Sequence, residues 1–348
     1  MRLLIITQVL DTEHPILGFF HAWIEEFAKH CESVIVICLQ EGKHSLPKNV
    51  RVLSLGKEKK VSRIQYLKRF FRYIREERDN YDSVFVHMNQ IYVILGGLLW
   101  RLWKKQIALW YMHKHASLSL RIATPLVHTI FTASPESFPL RTRAVQYVGH
   151  GIDTDLFTFR THRTSDELHL VTVGRISPVK DLETVVDVIS VMHKNEAHCL
   201  LSIVGDAETR SQHTYKHSII ERIKDREIEA FISWKGSQSH AEIANIVGEA
   251  DVFIHASRTG SLDKVVLEAL AVGTLPVTCD PTLAEDLSED LKRVCCVPQS
   301  DVQAYVRALM FIRALSDEES DRLREGGREY VLHNHSLSAL IPKILSYL

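Results

Sequence analysis

Two basic side chains, Arg175 and Lys180, stand in the segment Val173-Gly-Arg-Ile-Ser-Pro-Val-Lys-Asp-Leu. There an apolar strand pattern gives way to a short loop and then to a helical pattern opening near Asp181. A helix start presents free backbone N–H groups and the positive end of a dipole, so an anion is already favoured. A forked guanidinium and a point ammonium converging on that place suit a diphosphate. On spacing alone, two ordinary surface cations are an equal alternative, because this is not a Walker loop. Two further patterns imitate metal sites, Asp153-Thr-Asp155 and His113-Lys-His115. The first sits between the two halves without a flanking strand, the second has no carboxylate or cysteine at ligand spacing, and no metal is expected.

The elements that must position these residues form two series of strands alternating with helices. The first has strand patterns at Leu3 to Thr7, Val34 to Leu39, Val84 to His87, Ile107 to Tyr111 and Thr129 to Thr132. Phe20, Trp23, Ile24, Phe27 and Ala28 share one helical face between the first two. The second has strands at Leu168 to Val173, Leu201 to Val204, Ala230 to Trp234, Val252 to His255, Leu275 to Thr278 and Arg293 to Val297, with a helix from Asp181 to His193. Short, fully apolar strands between helices predict parallel sheets covered on both faces. The fold class is therefore α/β, two doubly wound Rossmann-like domains facing across a cleft, with ligands at the carboxyl ends of the strands. The expected boundaries are 1–156, a hinge at 157–167, 168–330, and a C-terminal helix at 331–348 packing back toward the first domain.

Charge is divided between the halves. Met1 to Arg160 carries 22 Lys and Arg against 14 Asp and Glu, while the remainder carries 20 against 29. The first domain is thus expected to meet something anionic. Its densest cluster runs from Lys57 to Arg78, nine Lys and Arg with three glutamates. Ile64, Leu67, Phe70, Phe71 and Ile74 form one stripe there, beside Lys68, Arg69, Arg72 and Arg75. Trp100, Trp103, Lys104 and Lys105 add an aromatic and basic edge. This stretch reads either as a helix lying on an anionic membrane surface or as a helix packed on the sheet with a solvated cationic face. No recognition motif for nucleic acid accompanies the charge. The apolar run from Ile91 to Trp100 is ten residues, half of what a spanning helix needs. The N-terminal apolar run reads as a strand rather than a signal peptide. Six sparse cysteines in 348 residues, two of them adjacent, are a poor disulfide framework. A cytoplasmic location is expected, peripheral on the inner membrane face if the basic helix engages lipid.

The segment from Ala250 to Val277 reads strand, loop, helix, Gly-marked stop, strand, and here a resemblance emerges. With Val148-Gly-His-Gly-Ile-Asp-Thr-Asp-Leu-Phe, the Gly174-Arg175 to Lys180 segment and Ile203-Val-Gly-Asp, it resembles the GT-B glycosyltransferases, close to the retaining family 4 enzymes that use nucleotide-sugar donors. The resemblance covers nearly the whole chain and is stronger in the second half. It implies that Arg175 and Lys180 grip the donor diphosphate. It also implies that Glu268, matching the second glutamate of a Glu-x7-Glu motif, accepts hydrogen bonds from ribose hydroxyls. The first glutamate is replaced by Gly260, followed by Ser261, Leu262, Asp263 and Lys264. Backbone N–H groups at Gly260 and Ser261 are then expected to meet phosphate or sugar oxygens. Asp263 is either a substitute hydroxyl acceptor or the cap of the next helix. Gly18 falls where the family has a glycine-containing loop beside the donor phosphates. His113 resembles the family's active-site histidine, with His115 a weaker match among nineteen histidines. His87 and Asn89 follow the preceding strand and read either as acceptor contacts or as a satisfied polar turn.

The function expected is metal-independent hexosyl transfer, with retention, from a UDP- or GDP-sugar to a glycan or lipid-linked acceptor. The donor is a substrate, and no cofactor is expected. A catalytically silent nucleotide-sugar-binding protein and a nucleotide-sugar epimerase of the same fold class are the alternatives.

Overall fold

Leu3, Leu4, Ile5 and Ile6 are fully buried, the mark of a strand covered on both faces. The computed structural model describes residues 1–14, 16–161, 167–260 and 262–348. The four residues lie in β1 (Arg2–Leu10), an interior strand of a seven-stranded sheet with β2 (Ser33–Glu41), β3 (Val50–Ser54), β4 (Ser83–His87), β5 (Gln106–Trp110), β6 (Thr129–Thr132) and β7 (Val145–Tyr147). The strands are parallel, in the order β3-β2-β1-β4-β5-β6-β7. Successive residues of β1 face opposite layers. Leu3 and Ile5 pack with α1 (Phe20–His30) and the C-terminal helix Leu337–Leu345. Leu4 and Ile6 pack with α2 (Arg63–Glu76), α3 (Gln90–Leu102) and α4 (Leu118–Ala123). The short edge strands β3 and β7 are not predicted from the sequence, because neither shows a buried apolar run.

A second parallel sheet holds β8 (Leu168–Val173), β9 (Cys199–Val204), β10 (Ile232–Gly236), β11 (Val252–His255) and β12 (Leu275–Thr278), in the order β10-β9-β8-β11-β12. It is accompanied by α5 (Leu182–Lys194), α6 (Arg210–Asp225), α7 (His240–Gly248) and α8 (Lys264–Val272). Four more helices follow, α9 (Pro281–Asp286), α10 (Glu289–Cys295), α11 (Val302–Arg313) and α12 (Asp317–Asn334). The chain divides into one unit of Met1–Asp153 with Asn334–Leu348, and another of Thr154–His333. Of the expected hinge, residues 162–166 lie outside the described residues.

The strand expected at Arg293 to Val297 is mostly helix. Ser288 caps α10, its first turn is acidic and its last basic, and Leu291, Val294 and Cys295 bury a helical stripe. Only an isolated bridge from Cys296 to Thr278 continues the sheet. Helix α2 also departs from expectation. Ser62 and Gln65 close a capping box at its start, and Phe70 and Ile74 are buried, but Ile64 and Leu67 face solvent. Arg69 turns inward and donates from Nη1 to Leu55 O (3.0 Å). Trp100 is not a surface edge, since it is fully buried and its Nε1 donates to Tyr81 Oη (3.1 Å).

The carboxyl ends of β8 and β9 meet closely. Gly174 and Gly205 have φ of +153° and +129°, and a Cβ on Gly205 would sit 1.9 Å from Gly174 O. Backbone cannot yield as a side-chain tip can. Gly205→Ala is therefore expected to destabilise the second unit by on the order of 3 kcal/mol, read as an earlier urea transition by circular dichroism.

Candidate active site

In a parallel sheet the crevice opens where strand order reverses. In the second sheet that point lies between β8 and its neighbours β9 and β11. The loop after β8 carries Gly174, Arg175 and Lys180. Gly174 has no side chain, and a Cβ there would come within 3.2 Å of Lys180 Cε, so the lysine stem lies across it. Arg175 is exposed, and among the described residues no hydrogen bond or ion pair holds its guanidinium. Thr172, Arg175, Lys180, Leu182 and His255 line a small cavity here.

The expected helix-terminal anion site takes a different form. A short 3-10 turn, Pro178–Lys180, precedes α5, and Asp181 follows it at φ +49°. Asp181 is fully buried, and its Oδ2 accepts from Thr184 Oγ1 (2.9 Å), Ser300 Oγ (2.9 Å) and Arg258 Nε (3.0 Å). Arg258 Nη2 lies 2.7 Å from Asp181 Oδ1. Leu182 N donates to Tyr215 Oη (3.0 Å). The first amide of α5 is thus taken by a phenol oxygen and the adjoining carboxylate is bonded by side chains, while Arg175 and Lys180 are the anion-seeking groups of this loop.

The loop after β11 comes to meet them. Arg258 N donates to Val179 O (2.7 Å), so Arg258 joins the two loops through both backbone and side chain. Gly260 has φ +63°, Ser261 lies outside the described residues, and Leu262 is buried. Asp263 occupies the N-cap position of α8, yet its side chain caps nothing. Its Oδ2 instead accepts from Lys180 Nζ (2.5 Å) and His255 Nε2 (2.9 Å). The carboxylate can only accept, so Nε2 carries the hydrogen it donates, and Nδ1 on the far side of the ring lies 2.9 Å from Thr278 Oγ1, which itself accepts from Asp280 N (3.1 Å). Burial pushes the Asp263 pKa upward, but the hydrogen bond from His255 and the charge of Lys180 outweigh it and hold the carboxyl well below its usual range.

Glu268 is buried one turn further along α8. Its Oε1 accepts from His240 Nε2 (2.9 Å) and lies 3.5 Å from Lys264 Nζ. Burial raises its pKa, and the charge of Lys264 with the bond from His240 more than offsets that. Phe157 packs edge-on against His240, with ring centroids 4.9 Å apart. The polypeptide leading into this unit is fastened beside it, since Arg328 donates to the carbonyls of Thr154, Phe157 and Ala271.

In the first unit the expected residues divide. Gly18 precedes α1, but its N–H donates to His14 O (2.9 Å), and a Cβ would stand 2.7 Å from that oxygen. Its small size therefore serves a tight turn. His87 is buried, stacked on Phe20 at 3.8 Å between centroids, with Nδ1 3.4 Å from Thr7 Oγ1. Asn89 caps α3, accepting from Ile91 N (3.3 Å). His87 is thus enclosed, while Asn89 caps a helix from a partly exposed position. His113 lies after β5, exposed and edge-on to Tyr111, with its pKa lowered by desolvation. His115 is exposed nearby, its carbonyl accepting from Tyr111 Oη (3.2 Å).

Residues 153–330 match the family described as glycosyl transferases group 1, over more than half of the chain. The chain belongs to that family. A search of curated proteins finds no match. Among solved structures, Anabaena Alr3699/HepE in complex with UDP is similar at TM-score 0.75 and 15% identity, each chain covered over 100%. Sucrose-phosphate synthase from Thermosynechococcus elongatus is similar at TM-score 0.75 and 16% identity, covering 99% of this chain and 98% of that one. The lipopolysaccharide outer core galactosyltransferase WaaB, in its apo form, gives 0.66 and 12%, with 100% of both chains covered. With its two parallel sheets, the chain has the GT-B fold.

Sequence reasoning about this glycosyltransferase misses His240, His255 and the Asp181–Arg258 pair. His255 alone carried a signal, as a polar residue closing the apolar strand β11 at its carboxyl end. Because the folded-state pKa of Asp263 is depressed, its charge stabilises the fold above its unfolded value near 4, and that contribution is lost as pH falls. Asp263→Asn is therefore expected to lower stability at neutral pH by about 2 kcal/mol. In thermal melts the gap from wild type should narrow below about pH 4; a gap independent of pH would contradict the ion pair.

Proposed function

We propose that this glycosyltransferase moves a hexose from a UDP- or GDP-sugar to a glycan or lipid-linked acceptor, with retention of anomeric configuration and without a metal ion. The observation that carries the reading is the meeting of two loops at the switch point of the second sheet. They bring Arg175, which has no partner among the described residues, a tethered Lys180 and the start of α8, four residues before the buried Glu268.

Departure of a nucleoside diphosphate from an oxocarbenium-like sugar develops charge on the leaving oxygens. Preorganised cations and helix amides lower that barrier without having to reorient. In this reading Arg175 and Lys180 face the diphosphate. The first amides of α8, left without a side-chain cap, face it as well. Glu268 holds the ribose through the oxygen that His240 leaves open. Asp263, already ionised, stands in for the missing motif glutamate as acceptor for a sugar hydroxyl. His113 serves at the transferred sugar, and the first unit receives the acceptor. UDP in the Anabaena relative supports a nucleotide donor, and a complex of the same protein with UDP-glucose supports a sugar nucleotide. Retention follows from the resemblance to family 4.

The replacement of the first motif glutamate by Gly260 favours a second reading, a silent protein that binds nucleotide sugar without transfer. Thermal-shift screening with UDP- and GDP-sugars, followed by assays of donor hydrolysis and transfer, separates the two: binding without turnover supports the silent protein. Arg175→Ala and Lys180→Ala are each expected to lose about 2–4 kcal/mol of transition-state stabilisation, seen as a fall in kcat/KM with melting behaviour retained. Unchanged turnover in both would refute the clamp. Transfer is expected to survive EDTA, and Asp153→Ala and Asp155→Ala to leave kcat unchanged; loss on chelation and recovery with manganese would overturn metal independence.

A further inference from the structure

Helices laid on a parallel sheet normally turn apolar residues inward and polar ones outward. Helix α3 does not. Tyr92, Val93, Gly96 and Trp100 are buried against the sheet, but its outer side carries Ile91, Leu98 (71% exposed) and Leu102 (75% exposed). No charged residue occurs between Gln90 and Trp100 to explain that side as solvated. Positions 91, 98 and 102 fall on one helical stripe, so the exposure forms a ridge.

The flanking helices extend it. Gln90 Nε2 donates to Ser119 Oγ (2.8 Å) and Arg101 Nη2 to Pro125 O (3.1 Å), which sets α4 alongside α3. Helix α4 adds Leu118 (74% exposed) and Ile122. On the other side Leu67, Phe71, Leu99 and Trp103 line a groove between α2 and α3 whose rim is Lys68, Arg72 and Arg75. Among the described residues fifteen large hydrophobics are exposed, and seven of them lie on these three helices, which have 14, 13 and 6 residues. The same helices hold one acidic side chain, Glu76, which lies 3.8 Å from Arg72. The apolar ridge is therefore bordered almost wholly by positive charge.

We propose that the outer face of α2, α3 and α4 docks on an anionic lipid bilayer, the α3 ridge sinking into the boundary of headgroups and acyl chains while Lys68, Arg72 and Arg75 meet lipid phosphates. The inference moves the contact from the basic helix alone, as read from the sequence, to α3 as the inserting element. Arg69, tied to Leu55 O, takes no part. A bilayer fits because it offers apolar depth and negative charge on one surface. Nucleic acid offers no partner for leucines, and a second copy would set one basic face against another. The proposal does not require the donor-site reading to hold.

The test is co-flotation of the full chain with vesicles of phosphatidylcholine mixed with phosphatidylglycerol, against phosphatidylcholine alone. Wild type should float with the anionic vesicles only, and added salt should weaken the association. Leu98→Asp with Leu102→Asp should abolish it, and Leu118→Asp should weaken it. Arg72→Gln with Arg75→Gln should lower the partition coefficient roughly 30-fold, about fivefold for each charge removed near the surface. Melting curves verify that each variant is folded, and UDP thermal shifts, read separately, report on the donor site. Wild type that stays unbound at low salt, or undiminished binding by the Leu98 and Leu102 double variant, overturns the proposal. So does a concentration-dependent dimer that the double variant abolishes, since that assigns the ridge to a second copy.

Discussion

The ion pair between Arg258 and the buried Asp181 sets the geometry of the second unit's crevice. The two loops that meet there leave different strands, β8 and β11, and nothing in the sheet ladder fixes the distance between their tips. Arg258 ties them twice, its Nε donating to Asp181 Oδ2 and its backbone N to Val179 O. Asp181 holds a left-handed backbone conformation that is unfavourable for a non-glycine residue, and it is fully buried. Both costs are offset only because Thr184 and Ser300 join Arg258 around the same carboxylate. Lys180 precedes this anchor by one residue, and Asp263 follows Arg258 by five in the chain. Their contact is a consequence of the anchor.

The second loop reveals how one side chain reorganises charge. The start of α8 carries Asp263, and a carboxylate at that position cannot be left unpaired beside a buried histidine. It recruits Lys180 and His255, and the other nitrogen of His255 is held against the Thr278 hydroxyl. A cation expected to be free is therefore partly neutralised within the protein, while Arg175 retains its full charge. The two residues differ in environment even though they share a loop.

Much of the architecture was legible because its signals are dense. Buried parallel strands have apolar runs, so β6, β8, β11 and β12 coincide with the sequence reading at both ends. Edge strands have no such run, and β3 and β7 escaped for that reason. The segment around Arg293 was misread because Val294 and Cys295 suit a strand locally, while the Ser288 cap and the charge order along the helix prevail. Arg175, Lys180 and Glu268 were singled out through the resemblance to the family's motifs. His240, His255 and Arg258 were not, since their importance lies in partners 28, 8 and 77 positions away. The apolar outer side of α3 was equally hidden, because a run of hydrophobic residues gives no sign of how many will find a neighbour.

The path of the chain through the first unit has a consequence for synthesis. That unit is interrupted after Asp153 and resumes at Asn334, with Ile152 pairing to Ser336 and Ser83 Oγ donating to Leu348 O. The helix Leu337–Leu345 covers the same sheet face as α1, burying Leu340, Ile341 and Ile344 beside Trp23. A nascent chain emerging from the ribosome can complete the second unit while the first still lacks its last layer. The helix that covers the α1 side of the first sheet is thus synthesised only after the whole of the second unit.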